Sequence, residues 1–518
     1  MRRIGIDVGG TNTDAVLIED GKVSGAVKAP TSEDVTTGIL DSLKSLAASG
    51  ALRDASGTLK KLDGVMIGTT HFINAVVQRR SLTRVAALRL GMPASATLPP
   101  FCDWPEDLAA LVRGGVWMVE GGHEYDGRLF MPLDEAAVTR AAEEMKAAGL
   151  KSVGISAIFS PLDPTHERRA AELVAKVIPD AVITCSSDLG RIGLLERENA
   201  ALLNAALADL SRETIAAFEK AIRDSGIAAP LFITQNDGTV AEAGQARRLP
   251  VYSFASGATN SMRGAAYLSG LADAMVIDVG GTTTDVGQLK NGFPREANSV
   301  VKVGGVRTLF RMPDLLSIGL GGGSHVQLEP LKVGPVSVGY RLLKEGIAFG
   351  GKQLTTTDVA IASGVLMLGD KAKVAHLDAA TCKKVFDEAA RLAEEAIDRM
   401  KTEGGDVPLI AVGGGAFLIP DKLPGVSRVI HVQHGDCANA VGAAIAQVSG
   451  ECDQIFKDLS RTEALAAAQG IANDRAVAAG AARASLATIE SEDMPLAYLP
   501  GNSVRVRVRV VGDVAATS

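Results

Sequence analysis

One short motif occurs twice in this chain. Ile6-Asp7-Val8-Gly9-Gly10-Thr11-Asn12-Thr13-Asp14 near the start returns as Ile277-Asp278-Val279-Gly280-Gly281-Thr282-Thr283-Thr284-Asp285, differing only where Asn12 is replaced by Thr283. Each copy reads as a buried apolar strand that ends in a carboxylate, a Gly-Gly turn, and a second strand opened by hydroxyl residues. A single Asp-x-Gly-Gly-Thr occurs in ordinary tight hairpins, where glycine merely permits positive φ. Two copies, each after an apolar strand, require two related halves, and hairpins of this kind face each other across a cleft. Backbone N–H groups freed by glycine approach phosphate oxygens, hydroxyls add donors, and the strand-ending Asp holds a hydrated divalent cation. The duplication therefore predicts a clamp for a nucleoside triphosphate.

At 518 residues the chain exceeds what one hydrophobic core organises, so at least two domains are expected. A formal net charge of −7 argues against nucleic acid or an anionic membrane as the main partner, since both need a basic face. The alternating run Val504-Arg505-Val506-Arg507-Val508-Arg509-Val510 reads as a strand with one solvated side. No apolar run approaches the ~20 residues of a membrane span, and no charged-then-apolar leader opens the chain, so a cytoplasmic location is expected. The five cysteines, Cys102, Cys185, Cys382, Cys437 and Cys452, are widely spaced with no Cys-x-x-Cys pair and read as free thiols.

Apolar periodicity predicts strands over 3–8, 14–18, 22–28, 64–67, 85–88 and 152–157, with helices over 134–148 and 165–177 between them. Hairpins mixed with strand–helix alternation specify an α/β fold. A helical stretch over 192–225 is expected to cross between two lobes and lead to a strand at 231–234. The second half is expected to end with a helix over 379–403, a strand over 409–412 running into Gly413-Gly414-Gly415, a strand over 428–432 and a helix over 437–448. Residues 451–483, rich in Ala and charge at helical spacing, are expected to form an appended layer. The resulting division is 1–190, 191–450 and 451–518.

Two phosphate hairpins, a crossing helix and a late Gly-Gly-Gly turn resemble the two-lobed actin-like (ribonuclease H-like) ATPase fold. Gly68-Thr69-Thr70-His71 through Asn74-Ala75-Val76, the run 191–204, Gln235-Asn236-Asp237-Gly238, Ser256-Gly257-Ala258, Ile318 to Ser324 and Thr357-Asp358 follow the order of the hydantoinase A/oxoprolinase family. That resemblance implies ATP-dependent opening of a cyclic amide or imide such as a hydantoin, oxoproline or lactam. A ring carbonyl oxygen takes the γ-phosphoryl group and water attacks the activated carbon. It implies ATP and Mg²⁺ as cofactors. Many members work with a second subunit, so a B-type hydantoinase subunit is an implied partner, and homo-oligomerisation is left open. The alternatives are a small-molecule kinase of the same superfamily and a chaperone-like reactivating ATPase.

Asp7 and Asp278 are assigned to Mg²⁺ through water and to catalysis. Gly9, Gly10, Thr11 and Thr13, with Gly280, Gly281, Thr282 and Thr283, are assigned to the phosphates, and Gly413, Gly414 and Gly415 to the adenosine. Glu198, with Glu196 as a rival, is the candidate for orienting the attacking water. His71 and Asn74 are candidates for the substrate side, as a polar pair beside a lactam carbonyl.

Overall fold

Both copies of the motif fold as β-hairpins with the same internal geometry. Asp7 pairs with Asp14 and Asp278 with Asp285 across the two antiparallel strands. The Gly9 N–H donates to the Asn12 carbonyl at 3.1 Å and the Gly280 N–H to Thr283 at 2.9 Å. The computed structural model describes residues 2–9, 12–30, 35–53, 56–189, 192–297, 300–309, 311–496 and 502–515. Gly10, Thr11 and Arg191 lie outside those residues.

Each hairpin heads a sheet of one topology. In the first, strands Lys22–Pro30, Asn12–Glu19, Arg2–Val8, Gly64–Thr69 and Leu231–Thr234 lie side by side. In the second the order is Phe293–Pro294, Thr284–Lys290, Ala274–Val279, Val407–Val412 and Val426–His431. The first three strands of each set are antiparallel neighbours and the last two join in parallel. The duplication in sequence is thus a duplication of a five-stranded unit, one in each sheet.

Two helices bind the sheets to each other. Ala438–Ile445 follows the last strand of the second sheet yet packs Ala440, Val441 and Ala444 against Val16 and Ile18 of the first. Ser256–Ser269 joins the two halves in sequence and buries Met262, Ala265 and Ala266 on the second sheet. Glycines set their separation: a Cβ on Gly442 would lie 1.8 Å from the Asn260 carbonyl oxygen, and one on Gly264 would lie 2.0 Å from that of Ala438. This corrects the assignment of the crossing element to 192–225. That stretch forms two helices, Leu194–Ala206 and Ala208–Asp224. The first packs on a third sheet, and the second places Ile215, Phe218 and Ile222 over the outer face of the first sheet.

The third sheet is parallel throughout and lies between residues 85 and 185, in the order Arg113–Glu120, Val85–Met92, Ser152–Ala157, Val182–Cys185. The C-terminal region departs from expectation. The helix expected to 448 ends at Ile445, and Gln447–Phe456 is a strand that extends the first sheet beside Thr239–Glu242. Its start alternates, with Val448, Gly450 and Cys452 turned inward, and that period of two outweighed the helix-favouring composition of the residues that follow. Helix formation begins only at Arg461, where Ser460 and Glu463 make a capping box.

Strand Val504–Gly512 is present, but its arginine side is not solvated. Arg509 pairs with Asp237 at 2.7 Å, Arg507 with Glu296 at 2.8 Å and Arg505 with Asp453 at 2.6 Å. The segment carrying Glu296 and Arg311 covers this face, and Arg311 bridges Glu296, Glu451 and Glu490. Removing Arg311 from such a network leaves part-buried carboxylates without their shared partner, so Arg311→Ala is expected to destabilise the protein by about 2 kcal/mol. A denaturant midpoint unchanged from wild type would show that the network contributes no net stability.

Candidate active site

Both hairpins line one cleft of about 340 Å³. Asp7 and Asp278 each end an apolar central strand and are held in its walls, together with Asp14 and Asp285. Burial is the main cause that pushes Asp7 up to about 7, with the charges of Asp14 and Asp278 adding to it. The Asn439 amide, donating to Asp7 at 3.2 Å, works in the opposite direction. Asp278 is pushed up to about 6, again mainly by burial, with Ser261 opposing and Asp285 reinforcing the shift. Carboxylates gathered in this way favour a cation between them.

Strand alternation decides which hairpin residues reach the cleft. Gly9, Asn12 and Asp14 line it, as do Gly280, Gly281, Thr282, Thr283 and Asp285. Thr13 is turned the other way and fully buried, its hydroxyl beneath Gly38 of helix Val35–Ala48. The structure therefore places Asn12 where Thr13 was expected, as the counterpart of Thr283. The same alternation buries Thr284, whose hydroxyl donates to the Leu320 carbonyl at 2.7 Å.

Gly413 and Gly414 also line the cleft. Gly413 has φ +88, and a Cβ there would lie 2.3 Å from an Asp278 carboxylate oxygen; Gly414 faces open space. Gly415 serves as backing: its N–H donates to Val279 at 2.7 Å, and a Cβ would lie 2.8 Å from the Gly280 carbonyl oxygen.

Other expected residues stand apart from the cleft walls. Thr70 lines the cleft and accepts from the Asn74 amide at 3.3 Å, whereas His71 and Asn74 occupy the first turn of helix His71–Gln78 beside it. Burial lowers the His71 pKa. Glu198 is not brought to the cleft. It lies buried on helix Leu194–Ala206, where Arg89 engages both carboxylate oxygens and the Ser156 hydroxyl donates to one of them.

Residues not singled out as ligands in the sequence complete the site. Lys28 lines the cleft and pairs with Asp14 at 3.2 Å, a cross-strand neighbour in the hairpin register. Helix Ser256–Ser269 begins at the cleft with Gly257, Ala258 and Ser261 in its wall, so free N–H groups and the positive end of a helix dipole face that space. The glycine-rich loop 319–324 supports the second hairpin from behind. Gly322 and Gly323 N–H groups donate to the Gly280 and Gly281 carbonyls at 3.0 and 2.7 Å. Thr356 and Thr357 hydroxyls in turn donate to Gly322, and Asp358 completes a capping box with Thr355.

A Cβ on Gly321 would lie 2.7 Å from the Thr282 nitrogen. Gly321→Ala is therefore expected to displace the second hairpin and to lower the thermal midpoint by several degrees, because the atoms it meets are backbone. A midpoint equal to wild type would mean that this support does not set the hairpin's position.

Two family models match the chain: the hydantoinase/oxoprolinase N-terminal region over residues 3–178 and hydantoinase/oxoprolinase over residues 197–369. The chain belongs to the hydantoinase/oxoprolinase family. Among its relatives is the caprolactamase subunit alpha of Pseudomonas jessenii, 27% identical over 71% of this chain and 55% of that protein. The chain thus spans about half the length of this curated relative. The crystal structure of ATP-dependent caprolactamase from Pseudomonas jessenii superposes with a TM-score of 0.73 at 19% identity, covering 99% of this chain and 88% of that one. A nucleotide-free structure of acetone carboxylase gives a TM-score of 0.68 at 18% identity, covering 100% and 89%. With the duplicated sheet topology, these likenesses establish the two-lobed actin-like ATPase fold for this hydantoinase/oxoprolinase member. No helix among its described residues is long and apolar enough to cross a membrane.

Proposed function

We propose that this protein is the ATP-dependent arm of a cyclic-amide hydrolase, working alone or with a second, B-type subunit in the cytoplasm. The observation that carries the reading is that both hairpins bring their carboxylates, Asp7 and Asp278, to one cleft. The family and its lactam-acting relative support the acceptor class.

In this reading the N–H groups of the hairpins and the start of helix Ser256–Ser269 bind the triphosphate, and the open face at Gly413 and Gly414 receives the nucleoside. Asp7 and Asp278 are the residues that would hold Mg²⁺ through water, which suits a hard cation that keeps much of its hydration. The described residues contain no group of three or more His, Cys, Asp or Glu side chains suited to direct ligation. When bound, Mg²⁺ would neutralise charge on the phosphate oxygens. Thr70, with Asn74 attached and His71 adjacent, is where the chain presents polar groups to the acceptor.

The ring carbonyl oxygen forms a bond to the γ-phosphorus as the bond to the ADP oxygen breaks. Water adds to the activated carbon, and the C–N bond breaks with the nitrogen leaving as an amine. A second water releases inorganic phosphate from the acyl phosphate. Glu198 takes no direct part, because its carboxylate is engaged by Arg89 and Ser156; it anchors the third sheet.

The test is phosphate release from ATP and Mg²⁺ with hydantoins, oxoproline and lactams, with and without a B-type subunit, coupled to mass spectrometry of the ring compound. Ring opening matched to ADP formation is expected. ATP turnover that leaves every ring intact, or a stable phosphorylated product, would overturn the hydrolase reading.

A further inference from the structure

The second lobe carries an apolar surface that neither its core nor the phosphate cleft uses. Of the nineteen large apolar side chains exposed among the described residues, eight come from residues 328–368. Exposed apolar residues scattered singly are ordinary, whereas a concentration on one segment marks an interaction surface. Five of the eight lie on two stretches that meet at Phe349. Tyr340, 73% exposed, and Leu343, 67% exposed, belong to the turns around Leu342–Glu345. Val365, Leu368 and Met367, the last 97% exposed, lie in the loop after helix Thr356–Ser363. The Phe349 ring stands between them: a Cβ on Gly346 would lie 3.2 Å from it and one on Gly369 3.0 Å from it. The Asp370 N–H donates to the Ala348 carbonyl at 2.8 Å and fixes the loop there.

The rim is basic, in a chain whose net charge is −7. Lys344 and Lys352 are exposed on the first stretch. Lys371 places Nζ 3.5 Å from the position of a Gly364 Cβ, next to Val365, and Lys373 places Nζ 3.3 Å from that of Gly350, next to Phe349. Nearby carboxylates are already engaged, Glu345 by Arg341 at 2.8 Å and Asp370 by the Ala372 N–H at 3.0 Å. An isologous pair of copies would set these lysines against one another, which disfavours a second copy of this chain. The complement of an apolar centre with a cationic rim is an apolar surface ringed by Asp and Glu.

Position selects the kind of partner. The Ser337 hydroxyl donates to the Gly281 carbonyl at 3.3 Å and accepts from the Gly339 N–H at 3.0 Å. A Cβ on Gly339, the residue before Tyr340, would lie 3.4 Å from the hydroxyl of Thr282, which lines the phosphate cleft. A protein seated on Tyr340 and Leu343 stands beside the second hairpin, where a subunit sharing the reaction has to be. We propose that this surface docks the second, B-type subunit through a carboxylate-ringed apolar patch on that subunit. The inference rests on the partner in the proposed function and adds the face that the partner takes and the chemistry it presents.

The test is surface plasmon resonance of the full chain over immobilised B-type subunit, with sedimentation velocity of the chain alone. Wild type is expected to bind, more weakly as salt rises. Leu343→Glu, Met367→Glu and the pair Lys371→Glu with Lys373→Glu should each weaken binding roughly tenfold or more, with basal ATP turnover unchanged. Leu111→Glu, at an exposed apolar position on the helix Glu106–Val112, should bind as wild type does. No binding by wild type, or equal binding by all the 343, 367 and lysine variants, would overturn the proposal. So would a wild-type dimer that Met367→Glu dissociates, or adhesion to phosphatidylserine vesicles lost in Met367→Glu while subunit binding persists, since each gives the surface another occupant. Because the readout is binding, docking without ring opening would fail the hydrolase reading alone. Ring opening with the subunit bound elsewhere would fail this inference alone.

Discussion

Asp7→Asn and Asp278→Asn are each expected to lower Mg²⁺-dependent ATP turnover by about a hundredfold to a thousandfold while making the cation-free protein more stable above neutral pH. The two effects share one cause. Asp7 is pushed from 3.8 in the reference state to about 7 in the fold, mainly by burial. Between those values the folded chain retains a proton that the unfolded chain has lost, so stability is fully present below about pH 4 and falls as pH rises towards 7. The full penalty is a few kcal/mol, reached above about pH 7. Asparagine keeps the shape and cannot ionise. Its midpoint should match wild type near pH 4 and exceed it by several degrees near pH 8, until saturating Mg²⁺ narrows the gap. Thermal scans at both pH values, with and without Mg²⁺, check this; coincident midpoints near pH 8, or normal turnover in both variants, would remove these carboxylates from the cation site.

Gly442→Ala is expected to cost on the order of 5 kcal/mol, at the exceptional end for a single substitution. The added methyl would lie 1.8 Å from the Asn260 carbonyl oxygen and 2.6 Å from its carbon. Both are backbone atoms inside a helix that also packs on the second sheet, so neither a rotamer change nor a side-chain shift relieves the overlap. The helices Ser256–Ser269 and Ala438–Ile445 must separate, and these helices carry the contacts joining the two lobes. Asn439 lies one turn before Gly442 and donates to Asp7, so the same displacement should also weaken nucleotide binding. Equilibrium unfolding and nucleotide titration check the two consequences. A variant with wild-type stability would show that the lobes tolerate a wider helix spacing.

The repeated Ile-Asp-Val-Gly-Gly motif carried the paired hairpins, because hairpin formation is local and glycine demands act within a few residues, and the ordered short motifs between Gly68 and Asp358 carried the family. Strands 152–157 and 231–234 and helix 165–177 coincide with their apolar periodicity for the same reason. What periodicity does not encode is the partner of each face. Thr13 and Asn12 are adjacent hydroxyl and amide residues, and only the sheet's pleat sends the first into the core and the second into the cleft. Arg505, Arg507 and Arg509 alternate as a solvated strand would, yet carboxylates from residue 237 to residue 490 close over them.

Glu198 is the clearest case. Helical spacing and family order made it a candidate for the attacking water, whereas Arg89 and Ser156, remote in sequence, gather around it and satisfy its oxygens. Local chain chemistry specified the strands and the hairpin turns. Long-range packing, which pairs charges and sets the close approach of backbones at Gly321 and Gly442, selected the residues that reach the cleft.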